Sequence, residues 1–209
     1  MKGREIYPFI SLAMTRLFKL NPGQIEANRL LGKSARHILL RGGSRSGKTF
    51  VLLRAIVIRA LRVGATRHGV FRYHLTSLRA SVLMDTFPAV MRLCFPGVQY
   101  RFDRQDSVIV FPNQSSIFFG GLDDAERTEK ILGLEFSTVY LNEASQISFG
   151  ARNMLLTRLA QKSDLIVREY IDANPPTMDH WLYSLFELQV DPKSGEPLTT
   201  PEMYATMIL

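Results

Sequence analysis

The segment that most constrains the fold of this chain is a glycine-rich octapeptide in its first quarter. It matches the pattern Gly-x-x-x-x-Gly-Lys-Ser/Thr of a phosphate-binding loop. Its glycines permit backbone torsions that a side chain would block, so that the amide hydrogens form a concavity for an anion. The eight residues predicted to bind nucleotide are Gly42, Gly43, Ser44, Arg45, Ser46, Gly47, Lys48 and Thr49. Within this set, Lys48 reaches the outer phosphates and the Thr49 hydroxyl ligates Mg²⁺.

The sequence around this octapeptide supports the same interpretation. Residues 37–40 are a short apolar run, as expected of a buried strand. Residues 50–61 are dense in apolar side chains and precede Gly64, which predicts a mostly buried helix. A strand, a glycine loop and a helix in this order place the phosphates at a helix N-terminus, where the helix dipole favours anions.

The bulk properties are those of an ordinary globular protein. The chain has 209 residues, 46% of them hydrophobic and 22% charged, which suffices for one sizeable core. Arg54 and Arg59 interrupt the most apolar window, and the N-terminus lacks the apolar core of a signal peptide. Cys94 is the only cysteine and is expected to be a small buried hydrophobe. We therefore expect an intracellular protein without a membrane segment.

The net charge of +7 is unevenly distributed along the chain. Residues 1–72 carry a net charge of +13, whereas residues 73–209 carry −6. This asymmetry is typical of a protein that meets nucleic acid or an acidic partner near its basic half. A solvated basic face that also helps to neutralise nucleotide phosphates explains the same pattern, and composition does not choose between the two.

The remaining sequence alternates between predicted strands and helices. Two helices are predicted at residues 7–20 and 23–34. A third is capped by Thr76 or Ser77 and reaches Cys94, with a kink or restart at Pro88. A fourth runs from the capping Ser148 to about Lys162, and a fifth starts near Asp179. The predicted core strands cover residues 70–75, 137–141, 165–171 and 203–209, and three β-rich runs at 98–102, 107–111 and 115–119 predict an antiparallel meander. The fold class is therefore α/β, with a mainly parallel sheet flanked by helices and an inserted antiparallel β-meander.

A second set of candidate residues follows two of these strands. Residues 138–141 form an apolar run that ends in Asn142 and Glu143. Glu143 is the candidate general base, and Asn142 is placed to hold Mg²⁺ through a water molecule. Asn174, after the next strand, is placed to contact the γ-phosphate or the attacking water, because ligands of open α/β sheets bind at the carboxyl ends of strands. An ordinary strand exit and a proline-stiffened turn are the alternatives, and Trp181 is expected to pack in the core.

Taken in order, four segments of the chain resemble the ATPase domain of the large terminase subunit of tailed bacteriophages. These segments are residues 42–49, Gly120-Gly121-Leu122-Asp123-Asp124, Tyr140-Leu141-Asn142-Glu143-Ala144-Ser145, and Asn174-Pro175-Pro176 with His180-Trp181. The resemblance implies an ASCE-type P-loop NTPase fold for residues 1–209, with a helical segment at 1–34 and the P-loop core at 35–209. It also implies that the C-terminal nuclease domain of such subunits is absent from this chain, which would then be part of a longer protein.

The resemblance further implies a function and a set of partners. The cofactors would be ATP and Mg²⁺, and hydrolysis would drive double-stranded DNA into a procapsid. The domain would work in a homo-oligomeric ring, usually a pentamer, on the portal with the small terminase subunit, in the host cell cytoplasm. Gln24 resembles the family's adenine-contacting glutamine, and the segment at Asn174 would couple the γ-phosphate to motion.

The family also implies an arginine finger that stabilises the transition state. Arg45 acting in cis and Arg79 acting from a neighbouring subunit are the main candidates, and Arg104 and Arg127 are weaker ones. In many relatives the loop arginine lies one place earlier than Arg45. Asn142, at a position that usually carries an acid, is the second departure from the family pattern.

Three other functions are compatible with a phosphate-binding loop. A helicase would normally need a second motor lobe, for which the chain has no length. A nucleotide-binding assembly module would bind ATP with little hydrolysis, and Asn142 is consistent with that. A small-molecule kinase would need an acceptor pocket or lid, which the sequence does not suggest.

Overall fold

A computed structural model describes residues 20–123 and 133–209 of the chain. In these residues, one eight-stranded sheet forms the centre of the molecule. Its strands are β1 (His37–Arg41), β2 (Arg67–Arg72), β3 (Arg101–Asp103), β4 (Val108–Val110), β5 (Ser116–Gly121), β6 (Thr138–Leu141), β7 (Arg168–Ala173) and β8 (Tyr204–Ile208).

The strand order is β3-β4-β5-β2-β6-β7-β1-β8. The five pairings from β5 across to β8 are parallel, and only the β3–β4 and β4–β5 pairings are antiparallel. β7 is the additional strand between β1 and β6, as in an ASCE-type P-loop fold. The predicted fold class is therefore confirmed. The meander is not separate from the core, because β5 pairs along its whole length with β2 and so extends the sheet.

Helices connect the strands and cover the sheet. The α-helices are α1 (Pro22–Leu31), α2 (Lys48–Arg62), α3 (Leu75–Leu78), α4 (Phe87–Cys94), α5 (Phe149–Leu156) and α6 (Trp181–Tyr183). A π-helical segment, Arg79–Thr86, joins α3 to α4 without a break, and a second one, Ser184–Leu188, continues α6. Short 3₁₀ turns lie at Ala144–Gln146 and Pro201–Met203.

The two faces of the sheet bury two separate hydrophobic clusters. In β1, Ile38 and Leu40 pack with α1, α2 and the 75–94 helical segment, whereas Leu39 packs with α5 and α6. The same alternation holds in β6, where Tyr140 lies on the first face and Val139 on the second. Because successive strand residues point to opposite faces, apolar runs with no polar alternation form strands that are buried on both sides.

Most predicted elements are present, with shifts that have local causes. β2 begins three residues before its predicted start at residue 70. The hydrophobicity pattern misses this start because it includes the polar residue His68. His68 can nevertheless be fully buried, since its ring hydrogen-bonds to Thr66 and Thr138. The prediction that Thr76 or Ser77 caps the next helix is wrong: the N-cap residue is His74, whose side chain contacts Asp123 instead.

The helix that starts after Ser148 is shorter than predicted. Ser148 does cap it, by accepting a hydrogen bond from the Ala151 amide. The helix ends at Leu156 rather than near residue 162, because the following backbone pairs with Phe136 at the approach to β6. Pro88 lies in the first turn of α4, where the helix changes from π-helical to α-helical without a break, so the predicted restart at Pro88 is wrong.

Two further predictions concern the ends of the chain. The predicted final strand is confirmed as β8. The helix predicted at residues 7–20 lies outside the described residues, apart from its last position. Among the described helices, none has the length and apolarity needed to cross a bilayer.

Candidate functional site

The phosphate-binding loop joins the carboxyl end of β1 to the N-terminus of α2. Gly42 and Gly47 adopt φ values of 151° and 89°, a region that a side chain disfavours. A Cβ on Gly42 would lie 2.2 Å from the Leu209 carbonyl oxygen, and one on Gly47 would lie 2.7 Å from Gln24 Nε2. Backbone atoms therefore leave no room for a side chain at Gly42, whereas at Gly47 it is mainly the torsion that favours glycine, since the Gln24 side chain could move.

Lys48 is buried and lies against the loop. Its ammonium donates to the carbonyl oxygens of Gly42 and Gly43, at 2.8 Å each, and to Ser46 Oγ at 3.2 Å. Burial lowers the pKa of Lys48, and the negative charges of Asp172 and Glu143 oppose that shift. The ammonium thus lies within electrostatic range of both carboxylates.

The Thr49 hydroxyl contacts a carboxylate that the sequence did not identify as a site residue. It donates to Asp172 Oδ2 at 2.8 Å. Asp172 is the fifth residue of β7 and is 2% exposed. Because β7 pairs with β1 on one side and β6 on the other, its carboxyl end lies between the phosphate loop and Glu143.

Three groups from β6 and the residues after it also donate to Asp172. The Tyr140 hydroxyl lies 2.8 Å from Oδ2, and the Glu143 amide nitrogen lies 2.6 Å from Oδ1. Asn142 Nδ2 lies 3.1 Å and 3.2 Å from the two carboxylate oxygens. Burial, followed by the charge of Asp172, raises the pKa of Tyr140, so this phenol stays protonated and remains a donor.

Asn142 is itself buried, at 3% exposure, and uses only one side of its amide. Its Oδ1 atom has no hydrogen-bond partner among the described residues. A buried acceptor of this kind is costly to leave unpaired, by about 1–3 kcal/mol. The unpaired oxygen can accept a hydrogen bond from a water molecule, and that Asn142 holds Mg²⁺ through such a water stays a prediction.

Glu143 follows directly and has a left-handed backbone, with φ 51° and ψ 52°. A non-glycine residue in this region is uncommon and is often found at functional sites. Its carboxylate pairs with Arg72 at the end of β2 and accepts from Gln146 Nε2 at 3.3 Å. The Glu143 side chain remains 45% exposed, so the carboxylate is oriented by Arg72 and still accessible to solvent.

Gln24 is brought to the loop by the capping box of α1. The Gln24 amide donates to Asn21 Oδ1 at 2.8 Å, and Gln24 Oε1 accepts from the Asn21 amide at 3.1 Å. This pairing leaves Nε2 beside Gly47. The structure therefore places Gln24 next to the phosphate loop.

The structure does not bring every predicted residue into the same cluster. Asn174 is exposed and follows Ala173, whose carbonyl accepts from the Gly42 amide at 3.3 Å. Arg45 lies exposed on the loop with φ 64°. Arg79 donates to the Arg104 carbonyl in the β3–β4 turn at 3.1 Å. Of the remaining positions, Gly43 and Ser44 are exposed loop residues, and Asp124 and Arg127 lie outside the described residues.

The arrangement suits a phosphate group accompanied by a hard cation. Across the residues that the structure describes, no three His, Cys, Asp or Glu side chains cluster as a metal site would require. Mg²⁺ usually keeps several waters and binds through one or two carboxylates together with substrate phosphates. The site offers one carboxylate, Asp172, together with the Thr49 hydroxyl and the Asn142 amide oxygen. These oxygen groups fit Mg²⁺ bound together with a nucleotide.

Sequence reasoning missed Asp172 and Arg72. Asp172 lies 123 residues from Thr49, and Arg72 lies 71 residues from Glu143, so neither belongs to a contiguous motif. A signal for Asp172 did exist, because it is an acid at the carboxyl end of a predicted strand beside the phosphate loop. Arg72 had a weaker signal, since its only distinction in the sequence is that it follows the apolar pair Val70 and Phe71 of a predicted strand.

Several solved structures share this fold. The large terminase of a thermophilic bacteriophage aligns with a TM-score of 0.75 and 16% identity, over 91% of this chain and 46% of that one. The same phage protein in complex with ATP-γ-S gives a TM-score of 0.71 and 15% identity, over 91% and 45%. The large terminase ATPase domain of Thermus phage P74-26 gives 0.64 and 18%, over 91% and 81%. The chain thus spans about half the length of the first of these proteins, and at these identities the likeness shows the fold.

Sequence comparison identifies the family. No curated protein matches the chain significantly. The family model described as terminase large subunit, T4likevirus-type, N-terminal, matches residues 39–207, which include the phosphate loop, Glu143 and Asp172. Since that match covers well over half of the chain, the protein belongs to the family of phage terminase large subunits, in the part that corresponds to their N-terminal region.

Proposed function

We propose that this chain is the ATP-hydrolysing motor domain of a DNA-packaging terminase, which drives double-stranded DNA into a procapsid. The observation that carries the proposal is the meeting of three strand ends. Lys48 and Thr49 follow β1, Asp172 ends β7 and Glu143 follows β6, all at one edge of the sheet. The large terminase of the thermophilic bacteriophage, which shares this fold, has been solved with ATP-γ-S and with ADP.

The loop and the start of α2 would bind the triphosphate. Backbone amides of residues 43–47 and the N-terminus of α2 would supply donors and a favourable dipole for phosphate. Lys48 donates hydrogen bonds to loop carbonyls in this structure. When ATP binds, its three N–H groups would donate to the β- and γ-phosphates instead. Gln24, whose Nε2 lies beside Gly47, would contact the adenine. Mg²⁺, when bound, would neutralise charge on the phosphates, and Thr49 and Asn142 are residues that would hold it.

Glu143 would act as the general base. Its carboxylate is partly exposed, and Arg72 and Gln146 fix its direction, so it can accept a proton from a water molecule near the loop. The Asp172 carboxylate cannot take this role as easily, because its oxygens already accept hydrogen bonds from Thr49, Tyr140, Asn142 and Glu143.

The first test is ATP turnover by the purified protein and by Glu143→Gln. We expect the substitution to lower kcat by about 10²- to 10⁴-fold, the usual contribution of a general base, and to leave ATP affinity nearly unchanged. Steady-state phosphate release and equilibrium binding of a fluorescent ATP analogue measure the two quantities. Wild-type binding without any turnover, even at high protein concentration and with DNA present, would favour the nucleotide-binding assembly module.

The partners of the motor are part of the same proposal. The domain would assemble as a ring, a pentamer in keeping with the family, on the portal and with the small terminase subunit, in the cytoplasm of the infected host. A packaging motor must ignore base sequence, so its DNA contacts would be mainly with phosphates. The net charge of +13 on residues 1–72 supports such contacts.

This electrostatic binding predicts a steep dependence on salt. The affinity for duplex DNA should fall by at least about tenfold between 50 and 200 mM salt, with little change between unrelated sequences. Fluorescence anisotropy with two duplexes of different sequence measures both effects. An affinity that stays constant with salt would contradict the proposal, and unwinding of a forked duplex would favour a helicase.

A further inference from the structure

The acidic group beside the phosphate loop lies on a different strand from the one that the sequence pattern indicates. The residue after β6, where an acid is expected to hold Mg²⁺, is the neutral Asn142. A buried carboxylate is nevertheless present beside Thr49, and it belongs to Asp172 at the end of β7. The charge expected on one strand is thus supplied by its neighbour.

Hydrogen bonding fixes how Asn142 faces Asp172. A carboxylate only accepts hydrogen bonds, and the Tyr140 hydroxyl donates its one hydrogen to Asp172 Oδ2. The Asn142 atom near both groups must therefore be the donor Nδ2, at 3.1 Å and 3.2 Å from the carboxylate oxygens and 3.2 Å from the Tyr140 oxygen. Oδ1 is left as the buried acceptor without a partner in the described part of the chain.

The side chain that position 142 can carry depends on the acid at position 172, because the two groups are in hydrogen-bond contact. An aspartate at position 142 would bring two carboxylates to a spacing of about 3 Å, where like charges repel and neither group has a hydrogen to donate. An amide there instead donates hydrogen bonds to the Asp172 carboxylate, at 3.1 Å and 3.2 Å. The two positions therefore hold one negative charge between them.

Thr49 links this charge to the phosphate loop. Its hydroxyl donates its single hydrogen to Asp172, so the lone pairs of the oxygen remain available to a cation. A carboxylate that orients a metal ligand in this way also raises the negative potential at the cation. The unpaired Asn142 oxygen adds an acceptor for a water molecule bound to that cation.

We propose that Asp172 is the positioning residue that retains Mg²⁺ with ATP, and that the end of β7 thus supplies the carboxylate expected after β6. Asp172 acts through the Thr49 hydroxyl and through its charge, while Asn142 binds a water molecule of the cation. This inference rests on the proposed function in that it requires ATP to bind at the loop.

The test measures magnesium preference, defined as the ratio of the dissociation constants for a fluorescent non-hydrolysable ATP analogue in EDTA and in Mg²⁺. Asp172→Asn keeps the shape of the side chain and removes its charge, and we expect it to reduce the preference by about 10- to 100-fold. Binding in EDTA should change little. Tyr140→Phe is the matched control, because it removes a hydrogen bond to Asp172 without removing the charge, and it should keep the preference.

The double variant Asn142→Asp/Asp172→Asn moves the charge back to β6 and should restore the preference. A preference that is unchanged in Asp172→Asn, or an equal loss of affinity in EDTA and Mg²⁺, would show that Asp172 only stabilises the fold. If Asp172→Asn does not fold, which circular dichroism shows, the double variant decides alone: a folded double variant without magnesium preference contradicts the proposed role of this charge.

The outcomes also separate this inference from the proposed function. A wild-type protein that does not bind the analogue at all contradicts the ATPase proposal. A wild-type protein that binds it with a magnesium preference, which Asp172→Asn does not reduce, contradicts only the role of Asp172.

Discussion

Gly42 shows how a residue of the phosphate loop depends on a segment far away in sequence. Its amide donates to the Ala173 carbonyl, and its Cα faces the Leu209 carbonyl, which follows β8. The Leu209 amide in turn donates to the Arg41 carbonyl at 2.8 Å. The loop is thus held between the ends of β7 and β8, and backbone atoms rather than flexible side chains limit the space at Gly42.

We expect Gly42→Ala to destabilise the protein by about 1–3 kcal/mol, because the new methyl group would meet a carbonyl that cannot move cheaply. Gly43→Ala is the matched control: nothing lies within 4 Å of a Cβ at that position. Urea unfolding measures both changes. Equal stability of the two variants would mean that the backbone at Leu209 yields to the added methyl group.

The site residues that could be predicted from sequence are those within contiguous motifs. Lys48 and Thr49 are fixed by the loop pattern, and Glu143 by an apolar strand that precedes it. Asp172 and Arg72 depend on which strands become neighbours, and strand order cannot be read from periodicity. Asp172 is adjacent to Thr49 only because β7 lies beside β1.

At the scale of helices and strands, the sequence predicted the type of each element more reliably than the residues at which it begins and ends. The three runs of the meander became β3, β4 and β5, but their pairing to β2 could not be read from local pattern. β2 can begin with polar residues because both ring nitrogens of the buried His68 have hydrogen-bond partners. They lie 3.0 Å from Thr66 Oγ1 and 2.9 Å from Thr138 Oγ1. This buried contact ties β2 to β6, the strand that leads to Glu143.

The same contact predicts a dependence of stability on pH. Burial, followed by the positive charge of Arg59, lowers the pKa of His68 to about 3 in the folded protein. An unfolded histidine titrates near 6.5, so between these values the unfolded state binds more protons. Stability should therefore fall as the pH drops below about 6.5, with a contribution from His68 of up to about 1.4 kcal/mol per pH unit.

Urea unfolding of the wild type and of His68→Gln, from pH 8 to pH 4.5, isolates this contribution. The variant should be less stable at neutral pH, since Thr66 and Thr138 lose a partner, but its stability should fall less steeply below pH 6.5. Above pH 7 the two profiles should run parallel. Profiles that remain parallel down to pH 4.5 would show that His68 is protonated without unfolding.

At the scale of the whole molecule, the position of Arg79 bears on how subunits would cooperate. Its guanidinium donates to the Arg104 carbonyl in the β3–β4 turn, at the edge of the sheet that contains β3. The phosphate loop follows β1, near the opposite edge, and four strands separate β1 from β4. An arginine so placed is better suited to the site of a neighbouring subunit than to its own, whereas Arg45 lies on the loop itself.

Mixing two inactive variants distinguishes these two arginines. We expect Arg79→Ala to lower ATP turnover by about 10³-fold or more, as loss of an arginine finger does, and Glu143→Gln to be inactive as well. In a ring, a Glu143→Gln subunit still offers Arg79 to a neighbour, and an Arg79→Ala subunit still has Glu143. Sites formed between the two are complete, so the mixture should recover activity that neither variant has alone.

The dependence on concentration gives the control for this experiment. Wild-type turnover should rise faster than linearly with protein concentration until rings are complete, and Arg29→Ala, a change at an exposed arginine on α1, should behave like the wild type. The opposite outcome has three parts: the mixture stays inactive, Arg45→Ala is inactive, and wild-type turnover is linear in concentration. It would place the arginine finger on the loop, and each subunit would then hydrolyse ATP without a neighbour. Recovery in the mixture would instead mean that hydrolysis requires contact between subunits, because the base and the finger of each site would come from different chains.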